Sequence, residues 1–73
     1  MAKDYWAGPH QDGWQVKGAG NSRASSVHSK QDEAWAVARA HARHAGGEAY
    51  LQGRNGQIRE RNTYGHDPRS SKG

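Results

Sequence analysis

Residues 29–47 read SKQDEAWAVARAHARHAGG, a stretch that predicts an α-helix. From Lys30 to Ala45 it contains no glycine or proline and is rich in alanine, the best helix former. Ser29 can cap the amino end with its hydroxyl, and the acidic residues that follow favour the positive end of the helix dipole. The pair Gly46-Gly47 supplies a left-handed C-cap. We therefore expect one helix that begins near Lys30 and ends at Ala45.

One face of the predicted helix is apolar and is expected to pack on a sheet. At about 100° per residue, Ala34, Ala38 and His41 fall within a narrow arc. Because alanine dominates this stripe, the helix can approach the sheet closely but contributes little apolar volume. The strands must then supply the larger side chains. The predicted core consists of Trp14, Val16, Ala34, Ala38, His41, Leu51, Ile58 and Tyr64.

The residues before the helix predict a β-hairpin. Trp14 and Val16 alternate with polar residues, which is the pattern of a strand with one buried face. Residues 18–22, Gly-Ala-Gly-Asn-Ser, tolerate the positive φ angles of a turn, so the chain is expected to reverse there. A second short strand is then predicted at residues 23–27.

The residues after the helix predict a second hairpin. Residues 48–52 and 57–64 are the expected strands, and Asn55-Gly56 in the turn between them is a strong hairpin signal. In the last strand, Ile58 and Tyr64 share a parity, but the residues between them at that parity are polar. This irregularity predicts a β-bulge or an early end of the strand.

Together these elements predict an α+β fold of the order ββαββ, in which the helix packs on one face of a small antiparallel sheet. The domain is expected to span residues 5–65. Residues 1–4 and 66–73 offer little to anchor them and are expected to form flexible termini.

The composition limits what a chain of 73 residues can be. Leu, Ile, Val and Phe together number only five, so three Trp and three Tyr side chains must supply most of the core. The absence of cysteine excludes disulfides and thiolate chemistry, and it is typical of a cytoplasmic protein. No segment has the roughly 18 apolar residues of a membrane span, so no membrane association is expected.

No arrangement of side chains predicts catalysis or a cofactor. The serines lie in predicted turns, a cap or a tail rather than on the strained elbow that exposes a nucleophile. One helix on a small sheet rarely encloses a substrate pocket. Among the five histidines, His41 and His44 lie one helical turn apart, but two ligands do not make a metal site. We expect a non-enzymatic protein without a metal, a cofactor or a small-molecule substrate.

Several short motifs also occur in a characteristic order. They are Gly13-Trp14-Gln15-Val16-Lys17, Arg23-Ala24-Ser25, Ser29-Lys30, Glu33-Ala34, Ala38-Arg39, Ala42, Asn55-Gly56-Gln57-Ile58, Tyr64-Gly65 and Asp67-Pro68. In this order and spacing they resemble a bacterial and phage family, domain-of-unknown-function family 2188. The resemblance covers nearly the whole predicted domain and implies a small stand-alone domain, with no activity, cofactor or catalytic residue to carry over. His41 departs from the family pattern, which has an aliphatic residue such as Leu there, so the resemblance implies altered core packing at this position.

A net charge of +4 favours an anionic partner. Arg59 and Arg61 lie two residues apart on the last predicted strand, so they are expected to share the uncovered sheet face with Tyr50 and Gln15. Such a basic surface with an aromatic residue is of the kind that binds single-stranded nucleic acid. The candidate nucleic-acid-binding residues are Lys17, Arg23, Arg54, Arg59 and Arg61.

The small core favours a different function. Apolar burial in a domain of this size barely offsets the conformational entropy lost on folding. Packing of the uncovered sheet face, or pairing of an edge strand with another chain, would bury further Trp and Tyr surface. From the sequence, a protein–protein interaction or self-association as a homodimer is therefore the favoured function, and nucleic-acid binding is the alternative.

Overall fold

The computed structural model describes residues 3–21 and 23–64, which form an α+β fold of one helix and five strands. The elements, in chain order, are β1 (Tyr5–His10), β2 (Gly13–Gly18), β3 (Ser26–His28), α1 (Gln31–Ala45), β4 (Glu48–Gln52) and β5 (Ile58–Thr63). The predicted fold class is confirmed, but the predicted order ββαββ is wrong, because three strands precede the helix.

The five strands form one mixed sheet in the order β3-β2-β1-β4-β5. Neighbouring strands are antiparallel except β1 and β4, which pair in parallel at the centre of the sheet. The expectation of a wholly antiparallel sheet is therefore wrong. The difference arises from β1, a strand that was not predicted. It lies between the two predicted hairpins and pairs with one strand of each.

Pro9 explains why β1 was not predicted as a strand from the sequence. Proline has no backbone N–H and is normally excluded from the interior of a sheet. Here β4 pairs with β1 only over Tyr5–Ala7, so Pro9 lies beyond the end of that ladder and costs it no hydrogen bond. A central strand can thus contain a proline at the end that pairs with only one neighbouring strand.

The helix packs its alanine stripe on the sheet. Its buried residues are Ala34, Trp35, Ala38 and Ala42, and the helix packs against β1, β2 and β4. The sheet contributes Ala7, Trp14, Val16, Ala49 and Leu51 to the same core. Small residues on both layers let helix and sheet approach closely, and the two tryptophans fill the volume that remains.

Three residues predicted for the core lie elsewhere. His41 is exposed and stacks on the half-buried ring of Tyr5, with the two ring centroids 5.0 Å apart. Ile58 is 50% exposed because its pairing with Gln52 places it on the sheet face opposite the helix. Tyr64 is only partly buried and packs against the margin of the core.

The carboxyl end of the helix has the predicted C-cap. Gly46 has φ 71° in the left-handed region, its N–H donates to the Arg43 carbonyl, and the Gly47 N–H donates to the Ala42 carbonyl at 2.9 Å. The amino end differs from expectation. Lys30 occupies the N-cap position without a side-chain cap, so the proposed Ser29 cap is wrong.

Asp4 belongs to the folded unit, although the sequence places it in a flexible terminus. Its carbonyl accepts a hydrogen bond from Ala19 N–H at 2.8 Å, and its carboxylate accepts one from Glu48 N–H at 2.9 Å. These two bonds connect the start of β1 to β2 and β4. Most of the other residues assigned to flexible termini lie outside the described part of the chain.

α1 is too short and too polar to span a bilayer, and it is the only helix in the described part of the chain.

Candidate functional site

The sheet has one face that no element of the described chain covers, and we call it the open face. In β2 the buried side chains Trp14 and Val16 point to α1, so Gln15 and Lys17 between them point the other way. Cross-strand register extends this assignment to the other strands. The side chains of the open face are those of Trp6, His10, Gln15, Lys17, Val27, Glu48, Tyr50, Gln52, Ile58, Arg61 and Thr63.

Four side chains of the open face form one row across four strands, which we call the central row. Trp6 is paired with Lys17 on one side and with Tyr50 on the other, and Tyr50 is paired with Arg61. The rings of Trp6 and Tyr50 stack, with their centroids 5.0 Å apart and an interplanar angle of 18°. The central row therefore consists of two aromatic side chains with a cationic side chain at each end. It spans roughly 14 Å at the usual spacing between strands.

The two cations of the central row have different electrostatic surroundings. Arg61 Nε lies 3.9 Å from Glu48 Oε1, and this is the single ion pair among the described residues. The same carboxylate accepts a hydrogen bond from Tyr50 Oη at 2.6 Å. Lys17 has no carboxylate partner within the described ranges. The Lys17 end of the row is therefore its free cationic end.

Glu48 also changes the acidity of Tyr50. The hydrogen bond to the Glu48 carboxylate raises the pKa of the Tyr50 phenol above its ordinary value, and partial burial and the negative charges of Glu48 and Asp4 act in the same direction. Arg61 opposes them more weakly. Tyr50 is thus held protonated as a hydrogen-bond donor.

We expect Tyr50 to ionise at a higher pH than an ordinary tyrosine. The bond to Glu48 stabilises the fold below the ordinary tyrosine pKa, and this contribution is lost as the pH rises through the raised pKa of Tyr50. The absorbance of tyrosinate during an alkaline titration measures the pKa of Tyr50. The transition that is lost in Tyr50→Phe is the one that belongs to this residue. Glu48→Gln should move that transition to lower pH. A Tyr50 transition unaffected by Glu48→Gln would contradict the assignment.

A second row on the open face is polar at its centre and apolar at its ends. Gln15 is paired with Gly8 and with Val27, and Gln52 is paired with Ile58. Val27 is 44% exposed and Ile58 is 50% exposed. Gly8 has no side chain, and a Cβ placed there would collide with Gln52 Oε1. The Gln52 amide therefore lies over the bare backbone of β1.

The structure brings together only part of the predicted basic surface. Lys17 and Arg61 lie in the central row, and Arg23 is exposed in the loop between β2 and β3. The prediction that Arg59 and Arg61 share a face is wrong. The predicted bulge is present in β5, and it leaves Arg59 without a cross-strand partner.

Arg59 and Arg54 lie at the amino end of α1 instead. The aliphatic part of Arg59 packs near Gly53. Both arginines line a shallow depression of about 810 Å³ together with Trp14 and Gln31. The expected basic stripe is thus divided between two regions of the surface.

Trp6 is the functional candidate that the sequence prediction missed. The sequence hint was the pair Tyr5-Trp6 in a chain with few apolar residues. The role of Trp6 could be recognised only once β1 was placed beside β4 in the sheet. The described residues contain no group of three or more side chains that could hold a metal ion.

Comparison with known proteins gives one match. A family described as "Uncharacterized protein conserved in bacteria (DUF2188)" matches residues 5–64, which include all six secondary-structure elements. Neither the curated proteins nor the solved structures give a match.

Proposed function

The chain belongs to the uncharacterised bacterial family DUF2188, and we propose that its open face binds single-stranded nucleic acid. The observation that carries this proposal is the central row, in which Trp6 and Tyr50 stand side by side between Lys17 and Arg61. Proteins that bind single strands without strong sequence preference combine aromatic side chains, on which bases stack, with cations that contact the phosphates.

The position of the row supports the proposal. Trp6 and Tyr50 lie on β1 and β4, two interior strands of the sheet. A nucleic acid bound to their rings would therefore have sheet surface on both sides. Lys17 and Arg61 lie one strand further out on either side, within reach of the backbone of a strand stacked on the rings. Because Glu48 partly neutralises Arg61, Lys17 supplies the stronger attraction for phosphate.

Removing the charges of Lys17 and Arg61 is expected to lower the affinity for single-stranded nucleic acid and to make that affinity less dependent on salt. With Lys17→Gln and Arg61→Gln combined, the slope of log affinity against log salt should become less steep by about 1.4 for a single strand, since each phosphate contact contributes about 0.7. Fluorescence anisotropy of labelled single- and double-stranded DNA and RNA, at low and near-physiological salt, measures both quantities.

The matched control removes the same charge from the helix side of the molecule. Lys30 and Arg43 are exposed there, and the double variant Lys30→Gln, Arg43→Gln should leave the salt slope close to that of the wild type. An equal loss in both double variants would mean that net charge alone attracts the strand. No binding by the wild type at low salt would overturn the proposal.

Exposed Val27 and Ile58 support a second candidate, in which the open face binds another protein or a second copy of this chain. They lie towards the two lateral edges of the face, and their burial in a homodimer would remove apolar surface from water. Light scattering on the same samples distinguishes this function. Self-association gives a mass that rises with protein concentration and changes little with salt, whereas a constant monomer mass would exclude it.

A further inference from the structure

A depression of about 420 Å³ lies on the open face beside Trp6. We call it the Trp6 depression. Its lining includes Trp6, Gly8, Gln15, Lys17 and Gln52, and it extends to residues 18–21, at the end of β2 and the start of the loop that follows. Its volume lies within the range of about 300–1,000 Å³ that is usual for small-molecule sites in proteins.

Trp6 forms the aromatic wall of this depression. The ring of Tyr50 stacks against Trp6 but does not belong to the lining, so Trp6 is the outer ring of the stacked pair on this side. A planar group entering the depression would extend an aromatic stack that the protein has already begun. Tyr50 is fixed behind Trp6 by its hydrogen bond to Glu48.

The floor of the depression offers amide groups for hydrogen bonding. The side-chain amide of Gln52 lies over Gly8 and has no hydrogen-bond partner among the described residues. Gln15 Nε2 donates to the Pro9 carbonyl at 3.4 Å, which leaves its Oε1 available as an acceptor. A glutamine amide presents a donor and an acceptor side by side, as the edges of the nucleobases also do.

The remaining wall is cationic or small. Lys17 carries a positive charge at the margin of the depression, and Gly18, Ala19 and Gly20 beside it have little or no side chain. A strand whose base occupied the depression could therefore pass over this loop with a phosphate close to Lys17. Aromatic wall, amide floor and cationic rim together match one nucleotide unit.

We propose that the Trp6 depression receives one nucleobase, which stacks on Trp6 and forms hydrogen bonds with the amides of Gln52 and Gln15. The proposal rests on the function proposed above and makes it more specific. It requires that a base contributes to affinity, and not the phosphate backbone alone.

The deciding comparison uses two labelled oligonucleotides of the same length, one of oligo(dA) and one with abasic sites throughout. The expected result is that the oligo(dA) binds roughly 5- to 150-fold more tightly, the range that stacking of one base provides. Equal affinity for both would overturn the base site and the stacking role of the central row, and would leave only phosphate binding by its cations. If neither binds, the proposed function itself fails.

Two variants test the residues that form the site. Gln52→Met keeps the side-chain length without the amide, and it should lower the affinity for oligo(dA) about 2- to 10-fold, as loss of a hydrogen bond does. It should leave binding of the abasic strand unchanged. The matched control is Gln11→Met, because Gln11 is an exposed residue in a turn. An equal effect of Gln52→Met on both strands would contradict the amide contact.

Tryptophan fluorescence locates the stacked base. Trp14 and Trp35 are buried, so quenching by oligo(dA) should come from Trp6. Trp6→Phe retains an aromatic ring and should abolish the quenching while anisotropy still detects binding. Quenching that persists in Trp6→Phe would show that the base does not stack on Trp6 and would overturn the proposal.

Discussion

Ala38→Asp is expected to unfold the protein. Ala38 has no exposed surface and lies at the middle of the alanine stripe of α1 that faces the sheet. An aspartate there would place a carboxylate in the core, where no described polar side chain is buried to receive it. The cost is about 4–5 kcal/mol or more. A single core in a chain of this length rarely supplies more than about 3–5 kcal/mol of stability, so the variant retains little or none of it.

Thermal and urea unfolding monitored by circular dichroism measure this effect. Ala40→Asp is the matched control, because Ala40 lies two residues further along the same helix and is exposed. It should melt close to the wild type. A cooperative transition of Ala38→Asp near the wild-type temperature would show that the helix does not pack through this stripe.

Gly47→Ala is expected to destabilise the protein by about 3 kcal/mol, at the upper end of the usual cost of overpacking. A Cβ at position 47 would collide with the Lys3 carbonyl and would lie 2.9 Å from Asp4 Oδ1. The backbone has little freedom to move away. The Gly47 N–H donates to the Ala42 carbonyl at 2.9 Å, and its carbonyl accepts a bond from Tyr64 N–H at 2.8 Å.

Gly53→Ala provides the comparison for Gly47→Ala. Neither glycine has a left-handed φ, and the nearest atom to a Cβ at position 53 is Arg59 Cδ at 2.9 Å, part of a flexible and exposed side chain. That side chain can rotate away, so Gly53→Ala should cost about 1 kcal/mol or less. Urea midpoints compare the two variants directly. Equal stabilities would mean that the contact between Gly47 and Lys3 is not a packing constraint.

The elements that the sequence predicted well are those specified by local signals. The helix and its C-cap at Gly46 follow from alanine content and the glycine pair, and the β4–β5 hairpin follows from Asn55-Gly56. The bulge in β5 was visible as a break in alternation. The parallel pairing of β1 and β4 has no local signal, because it joins distant segments, and Pro9 argues against a strand.

The site shows the same division. Parity along single strands placed Gln15, Tyr50 and Arg61 on the uncovered face. It failed for Arg59, because a bulge shifts parity at a residue that the sequence does not identify. It missed Trp6, whose position depends on β1. At His41, helical periodicity placed the residue within the apolar stripe, but the sheet ends at Tyr5, so the imidazole stacks on that ring outside the core.

The parallel contact between β1 and β4 also determines how the molecule assembles. Asp4 and Glu48, which are hydrogen-bonded at this junction, are separated by 44 residues. During synthesis, the nascent chain can complete β1, β2 and β3 as a meander long before β4 exists, and β1 then presents a free edge with Tyr5 and Trp6 beside it. Because long-range and parallel pairings form more slowly than local hairpins, we expect this junction to form last. Until it forms, the free edge of β1 is open to pairing with another chain.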